Sequence, residues 1–168
     1  MTMSSNPQLL GHSKQRELFP KHQFLVEIES GTSAGFQKCS ELSFEVGKIE
    51  YWEGGSIIPW KAPGRVTVAD LTLERGASSS IIFFAWATEV ANASLGQFPT
   101  RGAGLATDTY MRNITIRQLD RDGQTSMREW AVYNAWVQKF VAGEWDNTAD
   151  EAVIESLTLT YDWFQIMV

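Results

Sequence analysis

The chain has 168 residues, of which 43% are apolar, so it is long enough for one domain with a hydrophobic core. Its net charge of −6 excludes a basic surface of the kind that binds nucleic acid phosphates, and its single cysteine, Cys39, excludes an intrachain disulfide. The N-terminal residues are polar, unlike a secretion signal, and no run approaches the ~20 apolar residues of a membrane helix. We therefore expect no membrane insertion by this chain.

The beginning of the chain divides into a polar arm and a β-strand. Residues 1–22 are expected to form an N-terminal arm, and the domain is expected to span residues 23–168. Phe24, Val26 and Ile28 alternate with Leu25, Glu27 and Glu29, which predicts a strand with one solvent-facing side. Glycines after this strand indicate a turn.

The segment CSELSFEVGKIEYWEGG predicts a long, bent strand. Phe44 and Val46 lie on one face, and the apolar phase then shifts to Ile49 and Tyr51. A shift of one residue beside Gly47 is typical of a β-bulge. The strand is therefore expected to curve, as strands of a small barrel or sandwich do.

A second curved strand and the only helix come next. VTVADLTLERG alternates with a slip near Ala69. The serines of Ser78–Ser80 are expected to cap a helix from Ile81 to about Ala93, which contains no Gly or Pro. Because this helix is apolar on most sides, we expect it to be well buried.

A β-hairpin is expected after the Gly- and Thr-rich segment 96–109. Ile114 and Ile116 alternate with polar residues, DRDGQ supplies a turn, and EWAVYNAWVQKF returns with Trp130, Val132 and Trp136 on one side. DRDGQ faintly resembles a calcium loop, but it lacks the later acidic ligands, which favours a turn.

The last strand has the strongest alternation. In SLTLTYDWFQIMV, the side chains of Leu157, Leu159, Tyr161 and Trp163 are expected to share one face of a single strand. The chain is therefore predicted to be mainly β with one α-helix, in a small barrel or sandwich.

The sequence lacks the combinations of residues that catalytic sites use. His12 and His22 lie in or beside the polar arm, and Cys39 has no histidine near it in sequence. No HExxH, GxSxG, P-loop or CxxC motif is present. We expect no catalytic residue, no metal and no cofactor.

The segment YWEGGSIIPWKAPGR, residues 51–65, combines turn-forming and large apolar residues. Gly54 and Gly55 allow a sharp reversal of the chain. Ile57, Ile58 and Trp60 are costly to expose to water. Two interpretations remain open on these residues: they fold back onto their own core, or a neighbouring molecule covers them.

The ordered series of motifs resembles a known family. FLVEI, CSELSFEVGKIEYWEGG, KAPGR, VTVADLTLERG and the later EWAVYNAWVQKFVAGEWDNTADEAVIESLTLTYD are similar to segments of the inner tail-tube proteins of contractile phages and phage-tail-like injection particles. The resemblance covers about residues 24–164. It does not extend to the polar arm, the 96–109 insert is a departure, and the end at Trp163 and Phe164 is more apolar than the family pattern.

The resemblance implies a structural role. It implies two packed antiparallel β-sheets with one flanking α-helix, and homo-hexameric rings that stack into a hollow tube. A sheath surrounds the tube, baseplate and spike proteins contact its end, and cargo protein or DNA passes through its lumen. Such a particle is expected to be made and assembled in the bacterial cytoplasm.

The same resemblance favours the neighbour interpretation of the apolar segment. The residues expected in a subunit-interface loop are Tyr51, Trp52, Glu53, Gly54, Gly55, Ile57, Ile58 and Trp60. The residues expected to face the lumen are Glu41, Ser43, Glu45, Lys48, Glu50, Thr115 and Arg117. Asn134 and Gln138 are further candidates for the lumen wall. The alternative interpretation of all these polar residues is an ordinary solvent-exposed strand face.

Two other functions remain as alternatives. The arm and the insert at 96–109 suit a tube-initiating ring of the baseplate that joins the spike or hub to the tube. A monomeric ligand-binding β-barrel is the alternative from a different class, and it would need an enclosed pocket.

Overall fold

The computed structural model describes residues 21–29, 32–95, 110–148 and 150–167. Residues 1–20 of the predicted arm and the whole 96–109 insert lie outside the described residues. The elements, in chain order, are β1 (Phe24–Ile28), β2 (Thr32–Ala34), β3 (Lys38–Cys39), β4 (Phe44–Tyr51), β5 (Trp60–Val68), β6 (Leu71–Gly76), α1 (Ile82–Ser94), β7 (Arg112–Leu119), β8 (Ser126–Val141), β9 (Ile154–Thr160) and β10 (Trp163–Met167).

Eight of these strands form one antiparallel arrangement, and β4 and β5 pair only with each other. The main path runs β2-β1-β7-β8-β9-β6-β3, and β10 also pairs with β8. The first part of β8 lies between β7 and β10, and its second part, from Trp136, pairs with β9. These eight strands thus form two sheets that share β8, and β4 and β5 form a separate two-stranded ribbon. This confirms the mainly β fold with one helix, as an open sandwich rather than a closed barrel.

One hydrophobic core lies between the two sheets. Alternate residues of β1, β7, β6 and β9 point into it, as expected for strands with one buried face. The buried apolar residues are Val26, Ile28, Phe36, Leu71, Leu73, Phe83, Trp86, Ile114, Ile116, Val132, Ala135, Val137, Leu157, Leu159 and Tyr161. Both sheets and the helix therefore contribute to the same core.

The helix α1 contacts this core on one side only. Phe83 and Trp86, three residues apart, are buried, and the Trp86 indole N–H donates to the backbone carbonyl of Tyr110 at 2.7 Å. Ile81 and Phe84 are exposed. The prediction of a well-buried helix is wrong because its apolar residues surround the helix, whereas the sheets cover a single side.

The start of the helix is fixed by Arg75 and not by serine caps. None of the described side chains caps the N-terminus of α1, so the predicted role of Ser78–Ser80 is wrong. The Arg75 guanidinium donates to the Ser80 carbonyl at 3.1 Å, pairs with Glu155 at 3.0 Å and lies 4.1 Å from the ring centroid of Phe83. This buried cation links β6, β9 and the segment before α1.

The long strand β8 changes its buried face at Asn134. Val132 is buried before this residue, and Ala135 and Val137 are buried after it. Asn134 has a φ of 54°, and the pairing of β7 with β8 shifts by one residue at this point. The prediction that Trp136 shares a face with Val132 is therefore wrong.

The last predicted strand is divided between the two sheets. β9 ends at Thr160, and β10 begins at Trp163 and pairs with β8. Tyr161 is 5% exposed, whereas Trp163 is 41% exposed. Asp162 holds the crossing, since its backbone N–H donates to the Tyr133 carbonyl at 3.1 Å. The prediction of one continuous strand with Tyr161 and Trp163 on one face is wrong.

The DRDGQ segment forms the predicted hairpin turn between β7 and β8. The backbone N–H of Asp120 donates to the Thr125 carbonyl at 2.8 Å, and Gly123 has a φ of 69°. The Asp122 carboxylate accepts hydrogen bonds from Thr125 and from the Gln124 N–H, and these bonds lower the pKa of Asp122. Its oxygens therefore stabilise the turn itself.

Gly143 provides a test of the connection between β8 and β9. Its φ is 98°, and a Cβ at this position would collide with the Val153 side chain and lie 2.8 Å from the Ile154 carbonyl oxygen. We expect Gly143→Ala to lower the free energy of unfolding by about 2 kcal/mol or more, measured by urea denaturation. Gly76→Ala is the matched control, because no described atom lies within 4 Å of the added carbon. Equal effects of the two substitutions would contradict this account.

Tyr161 provides a test at alkaline pH. Its hydroxyl is buried and has no hydrogen-bond partner among the described residues. Burial, with a smaller contribution from the Asp70 charge, raises the pKa of Tyr161 from 10.0 to about 12. Because the folded protein favours the neutral hydroxyl of Tyr161, the stability that this group contributes is complete below about pH 10. It is lost as the pH rises towards 12, where the hydroxyl ionises in the folded protein as well.

We therefore expect Tyr161→Phe to be at least as stable as the parent protein at pH 7 and to lose less stability between pH 10 and 12. Burial also raises the pKa of Cys39 to about 11, so part of the alkaline loss remains in the variant. Urea denaturation at a series of pH values measures both effects. A variant that is clearly less stable at pH 7 would show that the hydroxyl has a partner after all.

Candidate assembly interface

The β4–β5 hairpin leaves the body of the protein. The two long strands predicted from sequence are each divided, into β3 and β4 and into β5 and β6. After β3 the chain extends away from the body along β4, and it returns along β5 to join β6. The Ala69 N–H donates to the Ser43 carbonyl at 3.0 Å and closes the base of the hairpin. The predicted slip near Ala69 is thus the point where the chain rejoins the main sheet.

The tip of the hairpin is shorter than the sequence indicated. Trp60 and the residues up to Val68 form strand β5, so the connecting loop is residues 52–59. Gly55 has a φ of 90°, which allows the reversal. The Ser56 hydroxyl donates to the Ile58 carbonyl at 2.7 Å and supports the turn. The apolar loop is therefore an ordered end of a β-ribbon.

The apolar residues of this segment are not buried by their own chain. Ile57 is 93% exposed, Ile58 is 77% exposed and Trp60 is 68% exposed. Tyr51 and Trp52 are also exposed. The interpretation that they fold back onto their own core is wrong. A group of large apolar side chains in contact with water is typical of a surface that a partner covers.

The pairing of β4 with β5 places apolar residues opposite apolar residues. At the base, Phe44 pairs with Val68 and Val46 with Val66; near the tip, Ile49 pairs with Ala62 and Tyr51 with Trp60. Side chains that are directly opposite in an antiparallel pair lie on the same face. Each half of the hairpin therefore has one apolar face and one polar face.

The predicted bulge is present, but its extra residue lies on the other strand. Between the pairs Val46–Val66 and Lys48–Pro63, β4 advances two residues and β5 advances three. The unbulged strand keeps its regular alternation, so Val46 and Ile49 point to opposite faces. The apolar face of the base half and the apolar face of the tip half therefore lie on opposite sides of the ribbon.

The polar positions of the hairpin divide in the same way. Glu45 lies on the face of Ile49, whereas Lys48 and Glu50 lie on the face of Val46. Lys48 and Glu50 form an ion pair of 2.7 Å, and Glu50 pairs across the strands with Lys61. Together with Glu41 and Ser43, which precede β4, these are the hairpin residues predicted to face a lumen. The register does not place all of them on one face.

Two further lumen candidates, Thr115 and Arg117, belong to a different sheet, as do Asn134 and Gln138 on β8. Thr115 and Arg117 lie on β7, where Arg117 pairs with Glu27 at 2.8 Å and with Glu129 at 3.0 Å. Glu27, on the neighbouring strand β1, is directly opposite Thr115. These residues form an outer surface of the body in which one arginine lies between two carboxylates, separate from the polar residues of the hairpin.

The outer side of α1 forms a second exposed apolar surface that the sequence analysis missed. Its exposed large residues are Ile81, Ile82, Phe84 and Leu95. Glu89, the only charged residue between Ile81 and Leu95, is paired with Arg112 at 2.9 Å. The signal for this surface in the sequence is that apolar residues occur on most sides of the helix. That pattern predicts burial of the helix but does not say whether its own chain or another molecule buries it.

The described residues give no support to a catalytic or metal site. No group of three or more His, Cys, Asp or Glu side chains in this part of the chain could hold a metal ion. The raised pKa of Cys39 keeps its thiol protonated at neutral pH. No described helix is long and apolar enough to cross a membrane.

Several solved structures share this fold. A chain of the anti-feeding prophage cap, which terminates the tube, matches with a TM-score of 0.74 and 19% identity, covering 96% of this chain and 99% of that one. A chain of the sheath–tube complex of the PVC extracellular contractile injection system matches with a TM-score of 0.69 and 20% identity, covering 90% and 93%. A chain of the anti-feeding prophage baseplate matches with a TM-score of 0.70 and 20% identity, covering 88% and 94%.

The sequence itself gives the family. No curated protein matches the chain. The family model described as T4-like virus tail tube protein gp19 matches residues 20–165. This range includes the helix, strands β1 to β9 and the first part of β10. The chain therefore belongs to the T4-like virus tail tube protein family.

Proposed function

We propose that this protein is the repeating structural subunit of the inner tube of a contractile injection particle. Six copies form a ring, and rings stack into a hollow conduit for cargo protein or DNA. The single observation that carries the proposal is the β4–β5 hairpin, whose large apolar side chains are exposed in the isolated chain. Family membership supplies the kind of assembly in which copies of the chain would cover them.

The energetics favour burial of the hairpin between copies. Moving Ile57, Ile58 and Trp60 out of water contributes about 1.5–3 kcal/mol for each residue before the entropy cost of association. An antiparallel ribbon whose edges pair with no other described strand is also prone to association with further strands. A closed ring satisfies these edges and apolar faces without leaving copies free to aggregate.

The partners follow from the same assembly. Relatives of known structure occur in a sheath–tube complex and in a baseplate that was analysed with six-fold symmetry. We accordingly propose a sheath around the tube, and baseplate and spike proteins at its end, with assembly in the bacterial cytoplasm. The role is structural, and no step of catalysis is assigned to this chain. The family supports the tube subunit over a tube initiator, and the open sandwich does not support a monomeric barrel.

The interface is tested by Trp60→Asp. Trp60 is exposed in the isolated chain, so we expect the variant to fold normally but to fail to form rings or tubes, because a carboxylate would be buried between copies. Circular dichroism measures the fold, and negative-stain electron microscopy measures assembly. Arg121→Asp, in the exposed turn between β7 and β8, is the control for an added carboxylate on the surface. An unfolded Trp60 variant, or one that assembles like the parent, would contradict the interface.

The lumen is tested by removing negative charge from one hairpin face at a time. We expect Glu45→Gln or Glu50→Gln to leave tubes intact, because exposed ion pairs contribute little to stability. The face that lines the bore should bind short DNA more tightly after neutralisation, because six copies of each charge act together in a ring. Co-sedimentation of labelled DNA with purified tubes measures this. Unchanged binding in both variants would overturn the lumen assignment.

A further inference from the structure

The direction in which the β4–β5 hairpin leaves the body is not set by sheet pairing. The two strands pair with each other and with no other described strand. The backbone hydrogen bond from Ala69 to Ser43 closes the base of the hairpin, but it lies at the point about which the hairpin would turn. A ribbon held only at this point is free to change its direction relative to the body, so another contact must fix it.

We infer that the ring contacts of Phe44 with Trp163 and Phe164, which we call the base contact, fix the direction of the hairpin in the free subunit. Phe44 is then a positioning residue, which acts within its own chain before another copy is present. The direction of the hairpin is a property of the single chain, and only the effect of this contact on tube formation rests on the proposed function.

Phe44 is the first residue of the hairpin, and its ring contacts two rings of β10. The centroid of the Phe44 ring lies 5.3 Å from that of Trp163 and 6.1 Å from that of Phe164, at the tilted angles that aromatic pairs prefer. Side chains stand out from the plane of a ribbon, whereas the hydrogen bond at Ser43 lies within that plane. The ring contacts and the hydrogen bond together therefore restrict the tilt of the hairpin.

Phe164 connects the base contact to the body. Its ring lies 6.0 Å from that of Trp130 and 6.1 Å from that of Tyr161, and it packs against the hydrophobic core. Phe164 is also opposite Val132 in the pairing of β10 with β8. The rings that contact Phe44 are thus held by the sheet, and two aromatic pairs favour the observed direction on the order of tenfold.

A hairpin that already has its direction needs less ordering when copies of the chain meet. Association costs entropy wherever a mobile segment becomes fixed, and preorganisation removes part of that cost. The base contact is therefore expected to speed tube formation while acting inside one chain.

The direction of the hairpin is measured in the monomer by double electron–electron resonance. Spin labels are attached to cysteines that replace Ile57 at the hairpin tip and Arg121 in the β7–β8 turn, both of which are exposed. Cys39 is half-buried and its thiol stays protonated at neutral pH, so a short reaction leaves it unlabelled. Size-exclusion chromatography isolates the monomer of the full chain.

Phe44→Ala removes the base contact, and we expect the distance distribution between the two labels to widen by about twofold or more. Phe44→Tyr keeps a ring at this position and is expected to keep the narrow distribution of the parent chain. Val46→Ala is the matched control, because it removes a half-exposed apolar side chain, without a ring, from the same face of the hairpin. Trp163→Leu removes a ring from β10 instead and is expected to widen the distribution as well.

An equally narrow distribution in Phe44→Ala and the parent chain would overturn the inference, as would a broad distribution in the parent. Equal widening by Val46→Ala would also overturn it, because the effect would then follow from lost apolar surface. Circular dichroism verifies folding, and Trp163→Leu supplies the decisive comparison if Phe44→Ala does not fold.

The effect on assembly is measured separately by light scattering. We expect Phe44→Ala to form tubes several-fold more slowly than the parent chain, because its hairpin must be ordered during association. Absence of tubes from the parent chain, seen by electron microscopy, would contradict the proposed function, whereas the distance measurement in the monomer would still decide this inference.

Discussion

The large apolar side chains of the β4–β5 hairpin from Phe44 to Val66 lie outside the core of their own chain, and the proposed assembly depends on that feature. The core between the two sheets is complete without them, because α1 covers it through Phe83 and Trp86. The hairpin consequently extends from the body with both faces in contact with water. In the proposed tube, adjacent copies of the chain would bury these side chains.

The body is arranged to hold this extended ribbon. The strand β8 belongs to both sheets, and the left-handed conformation of Asn134 allows it to change its buried face without breaking its pairing. The crossing at Asp162 then places β10 beside β8, where Trp163 and Phe164 contact Phe44 at the base of the hairpin. The unusually apolar end of the chain thus has a structural role, which is to support the hairpin.

The sequence predicted the positions of the strands and the helix more reliably than it predicted which side of each element is buried. Strands β1 and β7 and the turn at Asp122 follow from local patterns, since alternation and turn residues act over a few positions. The failures occur where one residue changes the register, as at Asn134, because a strand of period two reverses all its faces after such a step. The exposure of the helix was not predictable either, since apolar periodicity cannot tell burial by the same chain from burial by a neighbour. The residues predicted to face a lumen remain a prediction.

Cys39 has a consequence for labelling. It is the only cysteine of the chain, and its pKa of about 11 leaves almost no thiolate at neutral pH. Maleimides and other thiol reagents act on the thiolate, so the native residue reacts slowly. A cysteine placed on the exposed hairpin would react far faster and would take up a fluorophore at one chosen position, without any need to replace the native residue.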